Sequence, residues 1–215
     1  MIAIVDYGRG NLFSLRQALL ALGHEHEITS DAGRLEAFDT VILPGVGAFG
    51  DAMTKLKSLG MDEALVRAAA RGARVLGICL GMQLLAERSE EFGDHEGLNL
   101  IAGKVLRLPQ LRDNSERTRI PNIGWRRVTA HSNDPILEHI TGEPYFYFVH
   151  SYGFRCANAE NLIGSIAVNG EKIAAIVRHG NVWGCQFHPE KSGPDGLRML
   201  DQMVRASGAL NNQPN

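Results

Sequence analysis

The sequence has few cysteines, little net charge and no long apolar stretch, and each absence excludes a class of protein. Its three cysteines (Cys79, Cys156 and Cys185) are odd in number and widely spaced, which argues against a disulfide framework and a cysteine-ligated metal site. A formal net charge of -2 gives no reason to expect nucleic acid or an anionic membrane as the main partner. No apolar span is long enough for a membrane helix, and no basic-then-apolar leader precedes the first strand. We therefore expect a cytoplasmic protein with no bound metal or organic cofactor.

The order of apolar segments predicts an α/β fold. In the first half, short apolar runs alternate with stretches of helical periodicity, a pattern typical of a mainly parallel sheet. The predicted strands are residues 2–5, 26–29, 40–43 and 75–78, and the predicted helices are residues 12–22, 49–59 and 62–71. No repeat or linker divides the chain, so we expect residues 1–215 to form one domain with a flexible tail at about 208–215.

The second half predicts further strands that extend the same core in antiparallel fashion. These strands are residues 104–108, 127–129, 145–149, 162–168, 173–178 and 182–187. Turn signals at Asn169-Gly170 and Gly180-Asn181 predict hairpins between the last three. Residues 89–96 and 110–119 are predicted to be polar loops, residues 121–125 a turn bearing Trp125, and residues 196–205 a closing helix.

A cysteine flanked by glycines follows the fourth predicted strand. Residues 77–81 are Gly-Ile-Cys-Leu-Gly, and residues 82–87 are rich in helix formers. A sharp strand-to-helix turn around a nucleophile needs small neighbours, because larger side chains would clash with the strand and the helix. A sulfur at the start of a helix is also favoured as a thiolate. The alternative is that Cys79 is one more buried cysteine, and the spacing alone leaves both interpretations open.

Two other segments could serve such a nucleophile. The strand at residues 40–43 runs into Pro-Gly-Val-Gly, whose glycines allow backbone N–H groups to approach a ligand, although a plain turn would use the same residues. The last predicted strand runs into Gln-Phe-His-Pro-Glu at residues 186–190. His188 can act as a general base for a thiol, and Glu190 can orient its imidazole. Ligands of parallel sheets bind beyond the carboxyl ends of the strands, where Cys79 and the glycine loop are both expected.

Residues 77–83 and 185–190 together resemble the class I, triad-type glutamine amidotransferases. The chain is more closely similar to the glutamine amidotransferase subunits of imidazole glycerol phosphate synthases, with matches at residues 6–12, 44–49, 124–125, 147–152 and 188–193. The resemblance implies a three-layer α/β domain in which a central, mainly parallel sheet is extended by antiparallel strands.

The resemblance also implies hydrolysis of glutamine to glutamate and ammonia, and a role for each matching residue. The implied catalytic triad is Cys79, His188 and Glu190. The implied oxyanion hole consists of backbone N–H groups of Leu80 and of Val46 or Gly47. The residues implied to bind glutamine are Gly47, Gln83, His150, Ser151 and Tyr152.

A partner is implied as well. In this family the ammonia passes to a (β/α)8-barrel cyclase subunit, with which the chain would form a heterodimer in histidine biosynthesis. The cyclase makes imidazole glycerol phosphate and an aminoimidazole carboxamide ribotide. The residues implied at the partner interface or channel are Asn11, Trp125 and Lys191.

Departures from the family pattern leave the partner's identity open. Asn122 and Ile123 stand where relatives commonly have His and Met, Arg126 stands where a smaller polar residue is usual, and residues 112–119 form a charged insert. An alternative is a paralogous subunit that supplies ammonia to a synthase of surface-sugar biosynthesis. A stand-alone cysteine hydrolase and a regulatory subunit without catalysis are further alternatives. The matches at Gln83 and at residues 147–152 argue against the stand-alone hydrolase, and the intact triad argues against the regulatory subunit.

Overall fold

A computed structural model describes residues 1–110, 119–138, 142 and 144–205 of the chain. The strands are β1 (Ile2–Val5), β2 (His26–Thr29), β3 (Thr40–Gly45), β4 (Arg74–Cys79), β5 (Arg88–Ser89), β6 (His95–Glu96), β7 (Gly103–Arg107), β8 (Asn122–Arg127), β9 (Thr129–Ala130), β10 (Tyr145–His150), β11 (Tyr152–Cys156), β12 (Leu162–Val168), β13 (Glu171–His179) and β14 (Val182–Cys185). The α-helices are α1 (Leu12–Ala21), α2 (Phe49–Ser58), α3 (Met61–Ala70), α4 (Leu80–Leu84) and α5 (Gly193–Arg205).

Eight of the strands form one sheet, in the order β2-β1-β3-β4-β14-β13-β12-β9. The pairs from β2 to β14 are all parallel, and the remaining pairs are antiparallel. The prediction of a mainly parallel sheet extended by antiparallel strands is therefore confirmed. Strand β14 joins the two parts, because it pairs with β4 in parallel and with β13 in antiparallel fashion.

The sheet separates two hydrophobic clusters, and alternation along each central strand divides its side chains between them. Ala3 and Val5 of β1 belong to one cluster, whereas Ile2 and Ile4 belong to the other. Helices α2 and α3 contribute their buried residues to the first cluster, and α1 and α5 contribute theirs to the second. Helix, sheet and helix thus form the three predicted layers.

The second half differs from the prediction in two respects. Strands β8 and β10 form a separate two-stranded ribbon, and β11, β7, β5 and β6 form a separate four-stranded sheet. Three of these strands lie in two segments that were predicted to be irregular: β5 and β6 overlap residues 89–96, and β8 begins inside the predicted turn at residues 121–125. Both segments are strands because distant chain segments supply their hydrogen-bonding partners, which local sequence cannot reveal.

Two predictions fall on residues outside the described ranges. The polar loop predicted at residues 110–119 lies mostly outside them, and the tail predicted at about residues 208–215 lies entirely outside them. Within the described ranges, no helix is both long enough and apolar enough to cross a membrane.

Candidate active site

Cys79 occupies a strained turn between β4 and α4. Its φ is 56° and its ψ is -111°, a backbone conformation that non-glycine residues rarely adopt. A Cβ at Gly77 would lie 2.6 Å from the carbonyl oxygen of Gly81, and a Cβ at Gly81 would overlap the carbonyl oxygen of Leu43. The glycines on either side of Cys79 are therefore required by space, as the sequence predicted. The helix that follows is shorter than predicted: it ends at Leu84, whereas the helix-forming residues extend over 82–87.

His188 and Glu190 reach this turn because β14 lies beside β4. The register pairs Ile78 with Cys185, so the chain beyond β14 emerges next to Cys79. His188 Nδ1 donates a hydrogen bond to Glu190 Oε1 at 2.9 Å, and the two side chains are only 6% and 3% exposed. The His188 side chain is also hydrogen-bonded to Cys79.

These contacts determine the charge of His188. Burial lowers its pKa, but the hydrogen bonds to Cys79 and Glu190, with the negative charges of both groups, raise the pKa to about 10. His188 is therefore an imidazolium at neutral pH. An imidazolium beside a sulfur stabilises the thiolate, which is the nucleophilic form of cysteine.

A cavity of about 390 Å³ opens in front of Cys79 and His188. It is also lined by every residue implied to form the oxyanion hole or to bind glutamine: Val46, Gly47, Leu80, Gln83, His150, Ser151 and Tyr152. Residues from four separate segments of the chain thus meet at one place, at the carboxyl ends of β3 and β4. Their individual roles remain predictions.

The glycine loop after β3 lies against the cysteine turn. Gly45 is paired with Cys79 in the β3–β4 register, and a Cβ at Gly45 would lie 2.6 Å from the hydroxyl of Tyr7. Gly47 has a φ of +101°, which disfavours any residue with a side chain. The loop therefore needs both glycines, and this requirement holds whether or not its N–H groups bind an oxyanion.

Two polar residues of the site were missed by the sequence analysis. Glu91 lines the cavity, although residues 89–96 were predicted to be a solvated loop, and its Oε2 accepts a hydrogen bond from the N–H of Phe49 at 2.7 Å. Burial raises the pKa of Glu91. Gln186 is fully buried, and its Nε2 lies 3.9 Å from the Cys79 sulfur. Gln186 belongs to the Gln-Phe-His-Pro-Glu motif and could have been suspected, whereas Glu91 gave no signal.

The other two cysteines are in environments that suppress reactivity. Burial raises the pKa of Cys185 well above its usual value and raises the pKa of Cys156 to about 11. In the described part of the chain, no group of three or more His, Cys, Asp and Glu side chains is arranged to hold a metal ion.

The three residues implied at the partner interface, Asn11, Trp125 and Lys191, lie in local environments that differ from one another. Asn11 caps α1 by accepting a hydrogen bond from the N–H of Ser14 at 3.2 Å, and with His188 and Glu190 it lines a small void of about 10 Å³. Trp125 is 51% exposed and packs edge-on against Tyr147. Lys191 is exposed at the end of a 3₁₀ turn that follows His188. An interface role for these three residues remains a prediction.

Comparison with known proteins identifies the family. The family model for glutamine amidotransferase class-I matches residues 3–206. This chain belongs to the class I glutamine amidotransferases. The imidazole glycerol phosphate synthase subunit HisH of Sulfurimonas denitrificans is 45% identical over 205 residues, covering 95% of this chain and 98% of the relative. The subunit of the same name in Bacillus subtilis is 41% identical, covering 95% of this chain and 96% of the relative.

Solved structures agree on the class I glutamine amidotransferase fold. A crystal structure described as a glutamine amidotransferase has a TM-score of 0.71 at 19% identity, covering 95% of this chain and all (100%) of that one. The structure of PurLQS from Thermotoga maritima also has a TM-score of 0.71, at 21% identity, covering 94% of this chain and 96% of that one. At these identities the likeness concerns the fold.

Proposed function

We propose that this chain is the glutamine-hydrolysing subunit of an imidazole glycerol phosphate synthase, acting in the cytoplasm. The observation that carries the proposal is the cavity that contains Cys79 and His188, with Glu190 hydrogen-bonded behind the imidazole. The relatives named as HisH, at 41% and 45% identity over nearly the whole chain, support the choice of synthase.

The first half of the reaction forms a thioester. The Cys79 thiolate attacks the side-chain amide carbon of glutamine, and a C–S bond forms as the carbonyl oxygen becomes an oxyanion. Backbone N–H groups of Leu80 and of the loop at Val46 and Gly47 stabilise this oxyanion, and one such donor typically contributes about a hundredfold or more in rate. The His188 imidazolium then gives its proton to the amide nitrogen, the C–N bond breaks, and ammonia leaves.

The second half of the reaction releases glutamate. Water attacks the thioester carbon, and neutral His188 accepts a proton from that water. The C–S bond breaks and returns the sulfur of Cys79 as a thiolate beside a protonated imidazole. Glu190 holds the imidazole in one orientation through both halves, because its hydrogen bond to Nδ1 leaves Nε2 directed at the reacting atoms.

Glu91 gives the cavity the charge that an amino-acid substrate requires. Glutamine carries an α-ammonium group that stays protonated at neutral pH, and a partly buried carboxylate is a strong acceptor for it. The Glu91 side chain is already held by the N–H of Phe49, so it would bind this ammonium without much further ordering.

We propose that the partner binds the outward side of the β8–β10 ribbon. Four large apolar side chains are exposed there, and we call them the apolar face: Ile123, Trp125, Tyr145 and Val149. Aromatic and aliphatic side chains exposed together on two neighbouring strands are typical of a protein-binding surface. Val149 also lines the glutamine cavity, so a (β/α)8 cyclase bound here would lie against the cavity wall.

We propose that ammonia leaves the active site by a short path from His188 towards Asn11. The small void shared by Asn11, His188 and Glu190 is lined by triad residues and lies outside the glutamine cavity. A partner seated near Asn11 and Lys191 would receive ammonia without its release into solvent. No observation favours the surface-sugar synthase as the partner.

The test is glutamate release from glutamine, measured with the chain alone and with the cyclase subunit of an imidazole glycerol phosphate synthase supplied with its nucleotide ligand. We expect strong stimulation by the cyclase and incorporation of the amide nitrogen into the imidazole product. The Cys79→Ala variant serves as the control and should release no glutamate. Silence with this cyclase and stimulation by a sugar-modifying synthase would overturn the choice of partner.

A further inference from the structure

A continuous path of polar contacts connects the partner-facing ribbon with the nucleophile. Along it, Arg126 Nε donates to Asn122 Oδ1 at 2.7 Å, Asn122 Nδ2 lies 2.9 Å from His150 Nε2, and His150 Nδ1 lies 2.7 Å from the Tyr152 carbonyl oxygen. The path continues through Gln83 Nε2, which donates to the same carbonyl at 3.0 Å and to Gln186 Oε1 at 2.9 Å. Gln186 in turn approaches the Cys79 sulfur.

The first member of this path fixes the direction of the hydrogen bonds that follow. An arginine Nε can only donate, so the atom of Asn122 that faces it must be the amide oxygen. The Asn122 amide nitrogen therefore points at His150 and donates to Nε2, which must be unprotonated. The proton of the neutral imidazole is then on Nδ1, where it is donated to the Tyr152 carbonyl.

The surroundings of His150 keep it in this neutral form. Its side chain is buried, and burial lowers its pKa to about 4, with a further lowering by the charge of Arg126 and an opposing effect of the hydrogen bond to Tyr152. A neutral imidazole has one donor and one acceptor. Reversing the Asn122 amide would therefore place two donors against each other at Arg126 and two acceptors against each other at His150 Nε2.

This orientation affects the wall of the glutamine cavity. The Tyr152 carbonyl receives two hydrogen bonds, one from His150 and one from Gln83, and all three residues line the cavity. Both N–H groups of the Gln83 amide are engaged, one by Tyr152 and one by Gln186, which leaves Gln83 Oε1 as the atom available to a substrate donor. Loss of the donor at Arg126 would free Asn122 to rotate and would loosen this wall.

We propose that Arg126 is a positioning residue for glutamine binding, acting through Asn122 and His150 on Tyr152 and Gln83. The proposal rests on the proposed glutaminase function. Arg126 lies on β8, the strand that carries Ile123 and Trp125 of the apolar face on its opposite side. One strand therefore carries part of the apolar face on one side and the Arg126–Asn122 hydrogen bond, which leads to the cavity wall, on the other.

Two variants of Arg126 separate its hydrogen bond from its charge and its bulk. Arg126→Gln keeps an N–H donor, because the amide nitrogen of glutamine can take the place of Nε, but it removes the positive charge. In Arg126→Met a methyl group takes that place, so the length of the side chain is kept and the donor is lost. The partial exposure of Arg126 makes both substitutions compatible with folding.

Glutamine binding is measured by covalent labelling of Cys79 with a diazo-ketone analogue of glutamine, which separates the half-saturating concentration from the limiting rate. We expect Arg126→Met to raise the half-saturating concentration about fivefold, as for the loss of one hydrogen bond, with a smaller effect on the limiting rate. Arg126→Gln should restore most of the affinity. Unchanged affinity in both variants would overturn the proposal, and an equal loss in both would overturn the role of the hydrogen bond.

A second measurement is independent of glutaminase activity. The ¹⁵N chemical shifts of the His150 ring, assigned by their loss in His150→Gln, report which nitrogen carries the proton at neutral pH. We expect the proton on Nδ1 in the parent chain and in Arg126→Gln, and a mixture of tautomers in Arg126→Met. A proton on Nε2 in the parent chain would overturn the inference. Failure of the parent chain to react with the analogue would count instead against the proposed function.

Discussion

His188 and Glu190 are joined by a hydrogen bond of 2.9 Å between Nδ1 and Oε1, with only Pro189 between them in the chain. Pro189 begins a 3₁₀ turn, and its fixed φ brings the side chains on either side of it together. A single turn therefore places the general base, His188, next to the carboxylate of Glu190 that orients it. The sheet has only to deliver this preassembled pair to Cys79, which it does through the pairing of β14 with β4.

Removing the carboxylate should change both the rate and its pH dependence. In Glu190→Gln the negative charge that helps to raise the pKa of His188 is lost, so that pKa should fall from about 10 and the alkaline limit of activity should move to lower pH. We expect kcat to fall on the order of a hundredfold or more. The measurement is the pH profile of kcat/KM, with the exposed Glu160→Gln as the matched control.

The same substitution should affect stability with a definite sign. The pKa of His188 is higher in the folded protein, about 10, than its ordinary value of 6.5. Its protonation therefore stabilises the fold fully below about pH 6.5, and this contribution is lost as the pH rises towards 10. Glu190→Gln should weaken this pH dependence of the free energy of unfolding. An unchanged dependence would contradict a contribution of Glu190, beside that of Cys79, to the raised pKa of His188.

Labelling should be confined to one of the three cysteines. The diazo-ketone analogue of glutamine is expected to modify Cys79 and to leave Cys156 and Cys185 intact, because burial raises the pKa of both other thiols. Cys79→Ser should abolish labelling, and Cys156→Ser should leave it unaffected. The site is identified by peptide mass spectrometry, and label distributed over Cys156 and Cys185 would count against Cys79 as the nucleophile.

Substitution of Gly81 should destabilise the fold as well as the site. A methyl group there overlaps the carbonyl oxygen of Leu43, which is fixed because Leu43 pairs with Gly77 in the β3–β4 ladder. We expect Gly81→Ala to lower the free energy of unfolding by about 3 kcal/mol or more. In the control, Gly33→Ala, the nearest atom to the new Cβ is 3.3 Å away, and chemical denaturation should show a much smaller loss.

Glu91 should contribute to glutamine affinity. Glu91→Gln removes the negative charge that faces the cavity while keeping the shape of the side chain. We expect KM for glutamine to rise about tenfold, as for the loss of a charge-assisted hydrogen bond, with little change in kcat. Glu90→Gln is the control, because Glu90 is the exposed neighbour. Equal KM values for the Glu91 variant and the parent chain would show that the ammonium binds elsewhere.

Trp125 should contribute to partner binding. Its half-exposed ring is the largest side chain of the apolar face, and large aromatic side chains often dominate interface energies. Trp125→Ala is expected to weaken the affinity for the cyclase by at least about tenfold, measured by titration of the stimulated glutaminase activity. Val66→Ala, at an exposed apolar residue of α3, is the control. Unchanged affinity would exclude this face as the main contact.

The elements that local sequence could predict are those with a strong local pattern. A continuous apolar run predicted the strand at Ile2–Val5, all four residues of which are buried, and the glycines around Cys79 predicted the strained turn. Short strands that depend on distant partners, such as β5 and β8, could not be predicted in this way.

The site was predictable to a similar extent. The motifs containing Cys79 and His188 indicated the chemistry, but only the register of β4 with β14 brings the two side chains together. Glu91 was missed because a carboxylate in a polar segment looks like any solvated residue until the fold covers it. The path from Arg126 to Gln83 combines residues that were notable individually, and their connection requires the tertiary structure.

The position of β14 in the sheet has a consequence for the newly synthesised chain. Gln186 follows Cys79 by 107 residues, yet β14 pairs directly with β4 near the middle of the sheet. During synthesis, Cys79 therefore leaves the ribosome long before His188 has been added to the chain. A nascent or truncated chain without His188 contains Cys79 only as an ordinary cysteine. Cys79 therefore has His188 beside it only after β14 has been synthesised and has paired with β4.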